Sequence, residues 1–121
     1  VLGICLGMQL MCKHSEEGDT ACLGIFDQRV KKFNTSLKVP QIGWNRIRNL
    51  KSGLFKEVNE GEYLYFVHSY YAELGVNTVA ETDYDLVYSS SLQRDNFYAT
   101  QFHPEKSSDT GKRILENFIK L

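Results

Sequence analysis

Near the start of the chain, Gly3-Ile4-Cys5-Leu6-Gly7 places a thiol between two glycines in a G-x-nucleophile-x-G pattern. Such a residue sits on a sharp strand-to-helix turn at the end of a sheet, and flanking glycines let the two arms approach because neither carries a Cβ. The helix N-terminus there favours thiolate and lowers the thiol pKa, and the backbone N–H of Leu6 is aimed where an oxyanion would form. Glycine-flanked buried cysteines are common, so the pentapeptide alone leaves a structural role open. The second group is Gln101-Phe102-His103-Pro104-Glu105-Lys106-Ser107. His103, following the last expected strand, can act as base to Cys5, and Glu105 can hold the ring through its other nitrogen while Pro104 fixes the backbone between them. Cysteine, histidine and acid in this chain order follow the α/β elbow arrangement rather than the papain or chymotrypsin ones. With both halves present, a thiol hydrolase outweighs a structural cysteine.

The elements that must position these groups follow from local patterning. Val1 to Ile4 reads as a strand and Leu6 to Lys13 as a helix. Residues 14 to 22 are polar and read as a surface loop. Strands are expected near Gly24–Phe33 and Val39–Arg48, the second carrying Pro40 and Gly43 and so not an interior strand throughout. Glu62–Ala72, Asn77–Glu81, Leu86–Leu92 and Phe97–Phe102 are β-branched, aromatic or alternating, with Arg94-Asp95-Asn96 as a turn. Asp109–Leu121 has a helical period, with Asp109 or Ser108 as N-cap and Ile114, Leu115, Phe118, Ile119 and Leu121 on one side. This order predicts a three-layer α/β domain with a mixed sheet, its first strand parallel and central and much of the later chain antiparallel.

Composition narrows the class. The 121 residues carry 14 Lys+Arg and 15 Asp+Glu, a net charge of −1, with 42% hydrophobic and 24% charged residues. That balance excludes a disordered tail, a collagen-like repeat and a supercharged nucleic-acid binder. Residues 1–12 are apolar but too short to span a bilayer, and they lack the charged start and cleavage site of a signal peptide. Three cysteines, Cys5, Cys12 and Cys22, suggest a reducing, cytoplasmic setting with a thiol free for chemistry. Cys12-Lys13-His14 has no second ligand pair at zinc spacing, and no phosphate-binding glycine motif is present. No metal, cofactor, nucleic acid or membrane is therefore called for.

GICLGMQ followed far downstream by QFHPEKS resembles the class I glutamine amidotransferases, the triad glutaminases, over essentially the whole chain. Pro40-Gln41-Ile42-Gly43-Trp44-Asn45 and Tyr65-Phe66-Val67-His68-Ser69-Tyr70 narrow the resemblance to the glutaminase subunits of imidazole glycerol phosphate synthases. The resemblance implies hydrolysis of glutamine to glutamate and ammonia. It also implies transfer of that ammonia to a (β/α)8 cyclase subunit, which forms imidazole glycerol phosphate and AICAR in histidine biosynthesis. Alternatives are the glutaminase domain of another biosynthetic amidotransferase and a non-catalytic docking module.

Carried over by position, Cys5 resembles the nucleophile, His103 the general acid/base and Glu105 its orienting acid. Gln9, Glu17, His68, Ser69 and Tyr70 match positions that hold glutamine. Gln9 lies one helical turn past Cys5, and Glu17 would meet the substrate α-amino group. By residue type alone, Gln9 and Glu17 could equally be exposed surface residues and His68 a satisfied core histidine, which favours Ser69 and Tyr70 as the contacts. Pro40, Trp44, Asn45, Tyr65 and Lys106 match positions facing the cyclase. A lone tryptophan is more often core, but one following a glycine in a Pro-containing segment suits a surface turn, and Lys106 could be a solvated charge. Members of the family carry further strands before the elbow, including one that supplies a second oxyanion donor. The expectation is thus that residues 1–121 form the C-terminal part of a single amidotransferase domain. The N-terminal strands would then be missing, the uncovered strand edge sticky and the piece alone inactive.

Overall fold

The computed structural model describes all residues, 1–121. Strand β1 (Leu2–Ile4) runs into a single helical turn and a half, α1 (Leu6–Leu10), followed by a small hairpin of β2 (His14–Ser15) and β3 (Thr20–Ala21). Next come β4 (Arg29–Lys32), β5 (Gln41–Arg46), β6 (Tyr63–His68), β7 (Tyr70–Ala72), β8 (Thr78–Asp83), β9 (Val87–Arg94) and β10 (Phe97–Thr100). A 3-10 turn over Pro104–Lys106 leads into α2 (Ser108–Ile119).

The main sheet is mixed, in the order β1-β10-β9-β7-β4-β2-β3, with β8 also paired to β9. β1 is parallel to β10, and β9 to β10 is a tight hairpin whose Asp95 adopts φ +53°, as the expected turn requires. Alternate residues send side chains to opposite faces. Ala72 and Ala99 join a core with Met8, Met11, Cys12, Phe26, Val30 and Leu92, while Tyr71 and Tyr98 pack on a core of Phe33, Ile47, Leu54, Leu64, Phe66, Tyr88, Phe102 and Ile114. One face thus carries α1 and the other carries α2 with the β5–β6 pair, which gives the three layers expected.

Several elements differ from expectation. β1 is an end strand, hydrogen-bonded to β10 alone, rather than central. α1 stops at Leu10 because Met11 and Cys12 turn back, and the polar segment beyond it forms the β2–β3 hairpin rather than a loop. The aromatic run 62–72 is two strands in two sheets: β6 pairs only with β5, while β7 joins the main sheet after the chain bends at Ser69. α2 is preceded by Ser107, whose hydroxyl does not cap the helix but is taken by Tyr65 N–H and His103 C=O. On α2, Ile114 is buried while Ile119 is exposed, as is Leu121 beyond the helix end; the inward face is made by Gly111, Ile114 and Asn117.

Candidate active site

The parallel register pairs Ile4 with Thr100, so the residues that follow, Cys5 and Gln101, leave the sheet side by side, with His103 two residues beyond. Cys5 N–H donates to Thr100 C=O at 2.7 Å, locking the turn to β10. Cys5 itself adopts φ 54°, ψ −108°, a conformation disfavoured for a residue with a Cβ. The close approach falls at Gly3, where a Cβ would lie 2.5 Å from Met11 Sδ and 3.0 Å from the Gly7 carbonyl carbon. A Cβ at Gly7 meets nothing, so only one of the two flanking glycines has the spatial role inferred for both.

Three donors and acceptors surround Cys5 Sγ. The thiol points at Val67 C=O, 3.7 Å away, Gln101 Nε2 donates to the sulfur at 3.5 Å, and Leu6 N–H faces it from the turn. The thiol pKa is raised, contrary to the lowering expected from a helix N-terminus. Burial is the largest cause and outweighs the Leu6 and Gln101 N–H groups; Glu105 raises it further and Lys106 opposes. A helix of five residues has little macrodipole to offer.

His103 and Glu105 form the second half. His103 Nδ1 meets Glu105 Oε2 at 2.9 Å, which makes Nδ1–H the donor and leaves Nε2 as the basic nitrogen. His103 N–H donates to Tyr65 C=O at 2.9 Å, Ser107 Oγ donates to His103 C=O, and Tyr65 N–H donates back to Ser107 Oγ at 2.9 Å. The turn carrying the pair is thereby fastened to β6. His103 is not among the hydrogen-bond partners of the Cys5 thiol, whose proton faces Val67 C=O instead.

Cys5, Leu6, Gln9, Glu17, Val67, His68, Ser69 and Tyr70 line one open cleft of about 260 Å³. Every residue matched to glutamine binding is therefore at its wall. Glu17 reaches it from the β2–β3 loop. His68 is both core and wall: 6% exposed, with Nδ1 2.7 Å from Tyr70 C=O and Nε2 near Gln41 Oε1 and Tyr88 OH. Burial lowers its pKa to about 4; the hydrogen bond to the Tyr70 carbonyl opposes this, and His103 lowers it further. The imidazole is therefore neutral near pH 7.

Trp44 is 52% exposed on β5, on a strand rather than a turn, and its ring meets Tyr65 edge-on at 5.8 Å. Pro40 precedes that strand, and Lys106 is exposed beside Glu105. Asn45 is occupied structurally, donating to Asp83 C=O at 3.0 Å. Gln101, Val67 and Ser107 were not singled out from the sequence, although Gln101 and Ser107 bracket the His-Pro-Glu segment.

A model of the glutamine amidotransferase class I family matches residues 1–121, and the chain belongs to that family. Among curated proteins it is 59% identical to imidazole glycerol phosphate synthase subunit HisH of Bacteroides fragilis, 56% identical to that of Bacteroides thetaiotaomicron and 46% identical to that of Vibrio parahaemolyticus. All of this chain aligns in each case, and it spans 63% of the length of each of these relatives. A putative GMP synthase subunit from Thermoplasma acidophilum shares the fold, with TM-score 0.72 and 23% identity over 98% of this chain and 55% of the other. A glutamine amidotransferase from Thermotoga maritima does so with TM-score 0.64 and 21% identity over 98% and 46%.

Proposed function

We propose that the chain is the catalytic part of the glutaminase subunit of an imidazole glycerol phosphate synthase, a cytoplasmic biosynthetic enzyme. The observation that carries this reading is the cleft in which Cys5 meets Gln9, Glu17 and the His68–Tyr70 segment, at the same sheet edge as the His103–Glu105 pair. Likeness to the HisH subunits over the whole chain supports this choice among the amidotransferases.

Cys5 Sγ gives its proton to His103 Nε2 and attacks the side-chain amide carbon of glutamine. The oxyanion takes the Leu6 N–H. His103, its imidazolium paired with Glu105, returns the proton to the amide nitrogen, ammonia leaves, and a thioester remains. The same histidine then takes a proton from water, which attacks the thioester and releases glutamate and Cys5. Glu17 is suited by charge to the substrate α-ammonium group and Gln9 Oε1 to an N–H of the substrate. Ammonia passes to a (β/α)8 cyclase docked on the face bearing Pro40, Trp44, Asn45, Tyr65 and Lys106.

In the complete protein assembled with its cyclase, Cys5→Ala should abolish glutamine-dependent product formation while leaving reaction with added ammonium intact. Equal loss of both would show that Cys5 is structural, and retention of both would remove it from the mechanism.

A further inference from the structure

The nucleophile is held at the end of a buried chain of amide groups whose directions can be deduced. The anchor is Tyr70 C=O, which can only accept. Gln9 approaches it at 3.0 Å, so the Gln9 atom there is the amide nitrogen, and the same nitrogen lies 2.9 Å from the Gln101 side chain. The Gln101 atom facing it must then be the carbonyl oxygen, which turns the Gln101 amide nitrogen toward Cys5 Sγ at 3.5 Å. Gln101 is fully buried, which leaves its amide no competing solvent partner, while Gln9 is 6% exposed at the cleft wall. His68 Nδ1–H also donates to Tyr70 C=O, at 2.7 Å, so the anchor is held from two sides.

We propose that Gln101 is the side-chain donor that stabilises the Cys5 thiolate, and that Gln9 positions it by fixing the direction of its amide. The inference rests on the reading of Cys5 as nucleophile. When Cys5 loses its proton to His103, the sulfur no longer donates to Val67 C=O. The Gln101 N–H then becomes a charge-assisted bond, stronger than its neutral counterpart. Gln9 is left with Oε1 free of protein partners, so holding Gln101 and meeting substrate are separate tasks of its two amide atoms.

The other groups that act on the thiol are Leu6 N–H from the turn and Glu105 and Lys106 from the segment after β10; His103 adjoins that segment, and Glu17 and His68 share the cleft wall with Cys5. None of them is altered by changing Gln101. The test uses the complete protein without glutamine, following carbamidomethylation of the Cys5 peptide by iodoacetamide as a function of pH, resolved from Cys12 and Cys22 by mass spectrometry.

Gln101→Leu should raise the midpoint by about one pH unit and Gln101→Glu by more, since it adds a negative charge in place of a donor. Glutamine turnover near neutral pH should fall about tenfold in kcat, with KM little changed. Gln9→Leu leaves Gln101 in place and adds no charge but removes the donor that fixes the direction of its amide, so the Gln101 N–H is no longer held toward sulfur; the midpoint should rise here too. This variant decides the matter should the Gln101 variants fail to fold. An unchanged midpoint in the folded variants overturns the proposal even where Cys5→Ala abolishes glutamine-dependent activity. Retention of that activity in Cys5→Ala instead overturns the nucleophile reading on which it rests.

Discussion

His68 shows how one residue can serve core and cleft together. Its neutral ring donates from Nδ1 to Tyr70 C=O, and Nε2 lies 2.9 Å from the Gln41 side-chain amide and 3.1 Å from Tyr88 OH. Folding lowers its pKa from 6.5 to about 4 through burial. The unfolded chain therefore binds a proton that the folded chain refuses between those values. The sign follows from linkage: stability is fully present above about pH 6.5, falls as pH drops through the window, and levels off below about pH 4. The loss attributable to this one residue is at most about 3 kcal/mol. Urea melts of the complete protein from pH 7.5 to 4 should show that slope, and His68→Gln should flatten it; an equal slope in the variant would assign it to other groups. At this scale the triad candidates were legible because glycines and proline mark backbone geometry around Cys5 and His103. Gln101 was not, because a glutamine at a strand end has no local signature. Its role arises from the parallel pairing of Ile4 with Thr100, residues far apart in sequence.

Among the elements, the short segment from His103 to Gly111 does most to place the proposed base. Gly111 sits in the first turn of α2, against the 3-10 turn that carries Glu105. A Cβ there would lie 2.0 Å from Pro104 C=O and 2.7 Å from Ser107 Cβ, so backbone must move. Gly111→Ala should destabilise by about 1–3 kcal/mol as an overpacking change. It should also cut glutamine-dependent turnover more than ammonium-dependent turnover, because the displaced turn bears the His103–Glu105 pair. Thermal melts and the two assays together check this; a destabilised protein with undiminished glutamine turnover would separate α2 packing from the site. The existence of α2 and the inward placement of Ile114 were readable from its apolar period, but the rest of its inward face was not, because it is made by Gly111 and Asn117, the latter donating to Leu54 and Lys56 carbonyls. Likewise the run 62–72 reads as uninterrupted strand. Nothing in its propensities marks Ser69 as the point where the chain leaves one sheet for another; that break depends on β5 and β4 offering separate partners.

For the molecule as a whole, the β5–β6 pair has one face in the core and one toward solvent. Leu64 and Phe66 point inward, while Ile42, Trp44 and Tyr63 are 54%, 52% and 49% exposed, and register places Trp44 opposite Tyr65 and Arg46 opposite Tyr63. The Arg46 guanidinium lies 4.9 Å over the Tyr63 ring, continuing the strip. β6 also supplies Val67 C=O to the Cys5 thiol, so a partner seated on this face would be one strand from Cys5. This is the surface proposed for the cyclase, and aromatic anchors of this kind concentrate binding energy. Trp44→Ala should weaken assembly with the cyclase by about 2 kcal/mol, roughly 30-fold in Kd. Because the indole is half exposed and meets Tyr65 edge-on, stability of the uncomplexed protein should change by only about 0.5 kcal/mol. Calorimetric titration with the cyclase and a thermal melt of the uncomplexed protein measure the two quantities. A wild-type affinity combined with a large loss of stability would remove this face from the interface and make Trp44 a support for the β5–β6 pair.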